Sequence, residues 1–526
     1  MEEAGERAGE TISLWERTAT KFRSAPLSEN LTADVCVVGA GIAGVTTAYL
    51  LTREDRHVIL VDDGPVGGGM TGRTTAHLVS ALDDRYYEIE KILGEEGARL
   101  CAYSHTAAID CIEAIVTEEK IECDFERLAG YLFLPSGGSV TELRRELDAA
   151  VRAGLGVERV DRVPIGKFDT KGVLRFPRQA QFHPLKYLNA LSGAIIESGG
   201  HIFTGTRVVK IKDGNRTSIE TSDGHTITAR AAVVATNCPI NDLLAIHSKQ
   251  APYVTYVIGL RVTCELEHAL FWDTAQTAEN EKQVLGPVPY HYVRFARDEK
   301  GEVLIVGGED HKSGQAEDFE QRFSKLERWA RQHFPTLGEI TDRWSGQVME
   351  PVDGVAYIGR NPGNKNVYVV TGDSGNGITH GTIAGILITD LIAGRENSWA
   401  KLYDPTRKTL KPVVVADYVT ENANVAAQFR DYITSGSQPM ADEIRRGEGG
   451  ILREGVKKIA AYRDENGVLH KFSAICPHLK CPVRWDGAEK TWDCPCHGSR
   501  FDALGRVLNG PAVADLEPLN ATAAPK

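Results

Sequence analysis

Residues 33–44 read ADVCVVGAGIAG, a short apolar run that breaks into glycines and leads at once into a segment of helical period, residues 42–51. Residues 57–61, HVILV, form a second short apolar run. Apolar runs of this length on either side of a helix predict two buried parallel strands joined by a crossover helix. The chain is therefore predicted to begin with a βαβ unit of a doubly wound α/β domain.

The glycines of this unit follow the spacing GxGxxG, and each has a structural reason. Gly39 allows a tight turn, Gly41 lets the backbone approach a pyrophosphate, and Gly44 lets the helix pack closely on the strand. The helix N-terminus offers N–H groups to the phosphates, and Asp62 can accept hydrogen bonds from ribose hydroxyls. The spacing and its context predict a dinucleotide site rather than a merely structural turn.

Three further segments favour FAD over NAD. They are residues 67–76 (GGGMTGRTTA), residues 231–236 (AAVVAT) and residues 370–379 (VTGDSGNGIT). The first is a second glycine loop, suited to wrapping a long cofactor. The last combines a strand, a glycine loop and a helix start, and such a helix N-terminus could stabilise negative charge on a reduced flavin.

A β-rich layer is predicted between these segments. Residues 253–264 (YVTYVIGLRVTC) have a strand pattern that continues in residues 290–295 and 303–306. Residues 202–211 are predicted to form one strand, and residues 86–115 have helical periodicity. We therefore expect an antiparallel sheet inserted between nucleotide-binding pieces.

A second motif near the C-terminus calls for a metal centre. Cys476-Pro-His478 and Cys494-Pro-Cys496-His497 each offer one thiolate and one imidazole. Mixed Cys/His sets usually hold zinc, which stays open as the alternative. In a Rieske centre two thiolates bind one iron and two imidazoles the other, so each loop must supply one ligand of each kind. This division favours a [2Fe-2S] cluster held by Cys476, His478, Cys494 and His497.

Composition narrows the class of protein. The chain of 526 residues is long enough for several domains. Its formal charge of −12 argues against nucleic acid as a partner. Residues 1–10 lack the pattern of a secretory signal, and no uncharged apolar run is long enough to span a membrane. Six cysteines are scattered without pairing pattern, so we expect a cytoplasmic protein.

Residues 33–403 resemble the D-amino-acid oxidase-like family of FAD-dependent amine oxidoreductases, which includes glycine and sarcosine oxidases. The likeness includes residues 183–188 (HPLKYL), 205–209 and the segments 351–354 and 357–359. It implies a glutathione-reductase-type FAD domain and an amine or amino-acid substrate. The cofactor-binding residues expected are Gly39, Gly41, Gly44, Asp62, Gly72, Arg73, Thr74, Val208, Gly372, Gly375, Gly377, Ile378 and Thr379.

Two departures from this family matter. Relatives that act on small amino acids often carry an arginine for the substrate carboxylate, where this chain has residues 347–349 (QVM). Sarcosine oxidases attach FAD through a cysteine near the same place, and this region has Gly346 and no cysteine. We therefore expect noncovalent FAD and leave an α-amino-acid substrate open.

Residues 443–519 resemble the Rieske proteins of cytochrome bc-type complexes, through CPHLKC, CPCHGS and the proline loop 510–512 (GPA). The resemblance implies a disulfide between Cys481 and Cys496 and a hydroxyl of Ser499 that donates to the cluster. High-potential relatives have a tyrosine where this chain has Phe501. Loss of that hydrogen bond predicts a lower reduction potential.

Candidate catalytic residues lie in the predicted β layer. Tyr290, Tyr292 and Arg294 share one face of a strand by its period of two, and His311 lies in a glycine-bearing segment. That face could present two phenols and a guanidinium to the flavin. The alternative is that the tyrosines are core residues and Arg294 forms a surface ion pair. His77 is expected to be a packed histidine.

The predicted fold is a Rossmann-like α/β FAD domain with an inserted antiparallel substrate sheet (α+β) and a small all-β Rieske domain. The expected domain limits are an extension at 1–32, the FAD domain at 33–85, 180–245 and 340–403, the substrate domain at 86–179 and 246–339, a helical linker at 404–440, and the Rieske domain at 441–526.

The expected function is oxidation of a small amine or amino-acid-like substrate by hydride transfer to FAD. Electrons would pass singly through the cluster to an external acceptor, with exposed edges of His478 and His497 as the exit. Two alternatives stay open: an electron relay or redox sensor without a small amine substrate, and a reductase that receives electrons from an external donor. A Rieske oxygenase is disfavoured, because no suitably spaced histidine pair offers a mononuclear iron site.

Overall fold

The computed structural model describes residues 8–134, 140–166, 170, 172–241, 246–274, 290–334, 336–432 and 440–519. The helices in these ranges are α1 (Leu14–Thr18), α2 (Ile42–Thr52), α3 (Tyr86–Glu118), α4 (Val140–Arg152), α5 (Pro184–Glu197), α6 (Phe319–His333), α7 (Gly377–Ala393), α8 (Ala400–Tyr403) and α9 (Pro412–Gln428). Among the described residues, no helix combines the length and apolar composition that a membrane crossing needs.

The strands follow in chain order. They are β1 (Leu31–Val38), β2 (Val58–Val61), β3 (His77–Leu78), β4 (Glu126–Phe133), β5 (Glu158–Val160), β6 (Val173–Gln181), β7 (His201–Phe203), β8 (Val208–Lys212), β9 (Thr217–Thr221), β10 (Thr226–Val234), β11 (Gln250–Val262), β12 (Leu270–Asp273), β13 (His291–Asp298), β14 (Gly301–Lys312), β15 (Leu337–Pro351), β16 (Tyr357–Arg360), β17 (Val367–Thr371), β18 (Glu448–Glu454), β19 (Lys457–Arg463), β20 (Leu469–Ser473), β21 (Arg484–Asp486), β22 (Thr491–Asp493), β23 (Arg500–Asp502) and β24 (Val507–Asn509).

The first sheet has the order β16-β17-β10-β1-β2-β7, with the β8–β9 hairpin paired to β10. Its central pairs, β17–β10, β10–β1, β1–β2 and β2–β7, are parallel. Helix α2 is buried on nearly all sides, which accounts for a sequence that is apolar around its whole circumference. The predicted βαβ unit is present in this sheet, and the carboxyl ends of β1 and β10 meet at its glycine-rich loop.

The second sheet has the order β15-β11-β14-β13-β12-β4-β6-β3, with β5 paired to β6. It is antiparallel except for the parallel pair β4–β12. Strands β3 and β15 pair with this sheet, although the expected domain limits put residue 77 and residues 340–351 in the FAD domain. The domain limits themselves stay a prediction.

One predicted strand is divided. Residues 202–211 form β7 and β8 instead of a single strand. Gly205 between them has φ +62°, a left-handed conformation that turns the chain. Thr206 N then donates to Asp62 O (2.7 Å), so the turn is held against the end of β2.

The C-terminal domain consists of two small antiparallel sheets, β18-β19-β20 and β21-β22-β23-β24. Helix α9, from the linker, packs Val425 against the core of this domain. Asp431 beyond α9 forms an ion pair with Arg484 (2.7 Å), and Tyr253 and Lys312 of the second sheet bind Glu421 of α9. The linker helix therefore contacts the second sheet and the C-terminal domain together.

Candidate functional site

A cavity of about 670 Å³ lies where the two sheets meet the C-terminal domain. Its wall contains the GxGxxG loop, the second glycine loop and the start of α7. It also contains Thr255, Tyr290 and Tyr292 from the second sheet, and residues 507–510, 512 and 513 from the C-terminal domain. Cavities of this size hold cofactors and small ligands.

Most of the expected cofactor-binding residues line this cavity. Those that do are Gly39, Gly41, Asp62, Arg73, Thr74, Val208, Gly375, Gly377 and Ile378. Four other expected residues do not line the cavity: Gly44, Gly72, Gly372 and Thr379. Their expected contacts with the cofactor stay a prediction.

Backbone geometry makes the glycine loop suited to a pyrophosphate. Gly39 has φ +105°, and a Cβ there would lie 2.4 Å from Ala235 O. A Cβ on Gly44 would lie 1.8 Å from Gly39 O. The N-caps of α2 and α7, Gly41 and Asn376, make no side-chain capping hydrogen bond. Two helix N-termini thus present positive dipole ends at the cavity, which fits the phosphates and the flavin of FAD.

Asp62 holds the shape of the loop. Its carboxylate accepts hydrogen bonds from Ala40 N (2.6 Å) and Gly64 N (2.7 Å). Burial raises the pKa of Asp62 to about 7, an increase that the negative charge of Asp63 reinforces and these two hydrogen bonds oppose. A contact with ribose hydroxyls stays a prediction.

Arg73 lines the cavity, but its guanidinium is held by protein groups, and a contact with the cofactor stays a prediction. Its guanidinium donates to Ser345 O (2.6 Å) and Thr11 O (2.9 Å), and it forms a buried ion pair with Glu489 of the C-terminal domain (2.6 Å). Glu489 also accepts from Ser345 Oγ (2.5 Å). Arg73 therefore joins the second glycine loop to the C-terminal domain, a partner that its sequence position does not reveal.

Tyr290 and Tyr292 both face the cavity from the second sheet. Tyr290 Oη donates to Asp83 Oδ2 (2.5 Å), and Tyr292 Oη hydrogen-bonds Thr255 Oγ1 (2.6 Å). A Cβ on Gly307 would lie 2.2 Å from the Tyr292 ring, so glycine on the adjacent strand makes room for it. The two phenols are available at the site, and a catalytic role stays a prediction.

Arg294 and His311 do not line the cavity. Arg294 Nη1 donates to Ala76 O (2.7 Å) and Phe182 O (3.0 Å), and its guanidinium lies 5.1 Å from the Trp15 ring. This placement corrects both expectations for Arg294, because the buried guanidinium neither lines the cavity nor forms a surface ion pair. His311 packs on Tyr256 (5.7 Å), where burial lowers its pKa to about 3.

The expectation that His77 is a packed histidine stays a prediction. The ring of His77 lies on the cavity wall, with Nδ1 3.0 Å from Thr75 Oγ1 and Nε2 3.3 Å from Val293 O. Burial lowers its pKa to about 3, so the imidazole is neutral near pH 7.

Sequence reasoning missed a group of carboxylates in the cavity wall. We call this group the acidic wall; its members are Asp83, Asp84, Asp310, Glu350 and Asp373. They come from four separate segments, and the adjacent pair Asp83-Asp84 was the only signal in the sequence. Burial, reinforced by repulsion from Asp84 and Asp310, raises the pKa of Asp83 to about 7. Burial also raises the pKa values of Asp310 and Asp373 to about 6.

The four expected cluster ligands come together in the C-terminal domain. Cys476 and Cys494 are each 1% exposed and their thiols hydrogen-bond each other, while the rings of His478 and His497 lie 5.2 Å apart. Burial lowers the pKa of His497 to about 3, which keeps the imidazole in the neutral form that binds metal. Two thiols and two imidazoles on facing loops fit a Rieske cluster.

The disulfide between Cys481 and Cys496 is present. Cys494 Sγ lies within 4.8 Å of Cys481 Sγ and of Cys496 Sγ. Because those two atoms are bonded to each other, the three cysteines are not a separate metal site. The disulfide ties the two ligand loops together beside Cys494.

The histidine side of the cluster site faces the FAD-binding body. His247 is 2% exposed, and its ring lies 5.1 Å from that of His478 and 5.8 Å from that of His497. Cys238 Sγ donates to His497 O (3.4 Å). The expectation of exposed histidine edges was therefore wrong for His497, which is only 6% exposed.

Phe501 supplies a prediction about the reduction potential. The residue is fully buried in β23 beside Trp492. Phe501→Tyr is expected to raise the midpoint by about 40 mV, because a new hydrogen bond worth about 1 kcal/mol favours the more negative reduced cluster. A redox titration followed by electron paramagnetic resonance measures it, with Tyr462→Phe as a control. A wild-type midpoint potential of about +300 mV would contradict the predicted low potential.

Fold and site together define a flavin-type oxidoreductase body joined to a Rieske-type iron–sulfur domain. Residues 34–391 match the family described as FAD dependent oxidoreductase, and residues 440–520 match the Rieske [2Fe-2S] domain. The chain belongs to the FAD-dependent oxidoreductase family that includes the amino-acid oxidases, and it carries a C-terminal Rieske domain.

Individual relatives agree with both parts. The "Putative Rieske 2Fe-2S iron-sulfur protein YhfW" of Bacillus subtilis is 30% identical over 98% of each chain. Gamma-glutamylputrescine oxidoreductase of Escherichia coli is 26% identical over 73% of this chain and 89% of its own. The solved glycine oxidase of Geobacillus kaustophilus superposes with a TM-score of 0.58 at 17% identity, over 72% of this chain and all of its own.

Proposed function

We propose that this protein is an amine dehydrogenase that passes substrate electrons from FAD through its Rieske cluster to an external one-electron acceptor. The observation that carries the proposal is that one cavity has both domains in its wall: the FAD fingerprint and residues 507–510, 512 and 513 of the Rieske domain. The two glycine loops and the N-terminus of α7 would hold FAD there, and the bound flavin would supply a hydride acceptor that can release its two electrons singly.

A direct hydrogen bond supports transfer between the two centres. Gln347 is 2% exposed, lines the cavity, and donates from Nε2 to Gly498 O (2.9 Å). Gly498 follows the expected ligand His497 in the chain. Gln347 occupies the stretch where related amino-acid oxidases were expected to carry an arginine for the substrate. In this chain it connects the cavity to a cluster loop.

The same arrangement favours internal transfer over an isolated electron carrier. The packing of His247 against both cluster histidines leaves the histidine side turned toward the FAD body. An external acceptor would therefore approach the Rieske domain from another side. An electron relay without a small substrate, and a reductase working in the opposite direction, remain the alternatives to be tested.

Anaerobic mixing of the FAD- and cluster-loaded protein with a panel of amines and amino acids tests the proposal. Bleaching of flavin absorbance by a substrate, followed by the electron paramagnetic resonance signal of the reduced cluster, is the expected result. If no panel member bleaches the flavin while a reduced protein donor reduces the cluster, the relay is favoured. Flavin reduction without any cluster reduction would contradict the transfer between centres.

A further inference from the structure

The charge of the cavity wall identifies the kind of substrate that fits. The acidic wall brings five carboxylates to one enclosed space. Among the described residues, no lysine, arginine or histidine forms an ion pair with any of the five, although the charge of Arg85 opposes the raised pKa values of Asp83 and Asp84 and that of Arg322 opposes the raised pKa of Asp310. Carboxylates this close together with so little compensating charge repel one another, so a cationic ligand that enters this space gains binding energy from them.

Asp310 provides an independent sign of a missing ligand. Its Oδ1 atom is fully buried on the cavity side of β14 and has no hydrogen-bond partner among the described residues. Among the neighbouring carboxylates, Asp83 accepts from Tyr290 Oη (2.5 Å). Ser374 Oγ lies 2.8 Å from Asp84 Oδ2 and 3.0 Å from Glu350 Oε2, and its single proton can be donated to only one of the two. A hydrogen-bond donor on a bound ligand would satisfy Asp310 Oδ1.

In the described part of the cavity wall, each arginine already has partners within the protein. Arg73 is held by Glu489 and backbone oxygens, and Arg85 donates to Leu82 O (3.2 Å) and Asp273 O (3.3 Å). Arg207, near the adenine end, is paired with Asp515 (3.0 Å). Gln347 and Arg294 are engaged as described above. Near pH 7 Asp310 and Asp373, whose pKa values are about 6, are mostly ionised, and they would repel the carboxylate of an α-amino acid.

We infer that the substrate is an alkylamine cation with no carboxylate on the carbon beside the nitrogen, and that the acidic wall binds it. This inference rests on the proposed amine dehydrogenase function. In the reaction R–CH2–NH3+ loses one proton and one hydride to become R–CH=NH2+. An ionised carboxylate of the acidic wall accepts the proton, FAD accepts the hydride, and water then hydrolyses the iminium to an aldehyde and ammonium. The two electrons leave through the cluster.

Two pairs of compounds isolate the carboxylate. Norvaline differs from butylamine, and norleucine from pentylamine, by one carboxylate on the carbon that bears nitrogen. Binding is measured by titration calorimetry on the loaded protein after chemical reduction of both centres, so that no turnover occurs. Each amine is expected to bind at least about tenfold more tightly than its amino acid, since one unfavourable charge contact costs about 1.4 kcal/mol.

Variants assign the effect to the wall. Asp310→Asn and Asp373→Asn are expected to weaken binding of butylamine about tenfold each. Glu309→Gln, next to Asp310 but paired with Lys325 (3.2 Å) outside the cavity, should leave the affinity unchanged. Flavin absorbance and the cluster signal check that each variant folds and loads.

Equal or tighter binding of the amino acids, or unchanged affinity in both wall variants, would overturn the inference. Amino acids that bleach the flavin while the amines do not would also overturn it and leave the proposed dehydrogenase intact. Tight binding of the amines without any bleaching would support the acidic wall as an amine-binding site and would contradict the proposed oxidation.

Discussion

Glu489→Ala is expected to lower the free energy of unfolding by about 3–5 kcal/mol, the usual cost of removing one partner of a buried ion pair. Glu489 and Arg73 have side chains 1% and 0% exposed. The charges of Arg73 and Arg500 hold the pKa of Glu489 below its ordinary value although burial alone would raise it. Without the carboxylate, Arg73 stays buried and charged between the two domains, and the hydrogen bonds from Ser345 and Thr11 are lost as well.

Chemical denaturation followed by flavin fluorescence and by the cluster signal measures this change. Glu96→Ala is the matched control, because Glu96 is paired with Arg99 in an exposed ion pair on α3 and its loss should lower the free energy of unfolding far less than the loss of Glu489. Equal effects of the two substitutions would show that the Arg73–Glu489 pair does not hold the domains together.

Cys494→Ser is expected to abolish the Rieske cluster, because the cluster needs a thiolate at that position and a serine hydroxyl is not ionised near neutral pH. Iron content and the electron paramagnetic resonance signal of the cluster should fall to background. FAD should still bind, since the glycine loops are unchanged, and substrate should still bleach it. Reduction of a one-electron protein acceptor should be lost.

The exposed cysteine supplies the control for this experiment. Cys264→Ser changes a residue outside the Rieske domain and should leave iron content and electron delivery unchanged. A Cys494→Ser protein that retains its cluster signal would refute the ligand assignment. Retained electron delivery without a cluster would refute the route proposed through it.

The proposed cofactors of this protein could be predicted from its sequence because their motifs are local. GxGxxG with Asp62 fits within one βαβ unit, and each cluster loop is a few residues long, so the required backbone shape is encoded by neighbours in the chain. The alternating pattern of the second sheet was readable for the same reason. The break at Gly205 was missed because a strand and a turn between two strands have similar apolar content over a few residues.

The roles of individual polar side chains depended on contacts between distant segments. Tyr292 and Arg294 share one face of β13, but the first reaches the cavity while the second lies against backbone carbonyls of other segments. The two-residue period of a strand determines which face of the sheet a side chain occupies. It does not determine which other segments pack against that face. The acidic wall was hidden for the same reason, because it assembles from four parts of the chain.

The sequence by itself determined that FAD and a Rieske cluster belong to this chain, since the short motifs that bind them place particular residue types at fixed spacing. Only the tertiary structure decided how the two sites are related. Arg73 meets Glu489 across 416 positions of sequence, and Gln347 reaches Gly498 across 151. The packing of two domains brings these residues together. No local pattern in the sequence reveals a contact between residues so far apart along the chain.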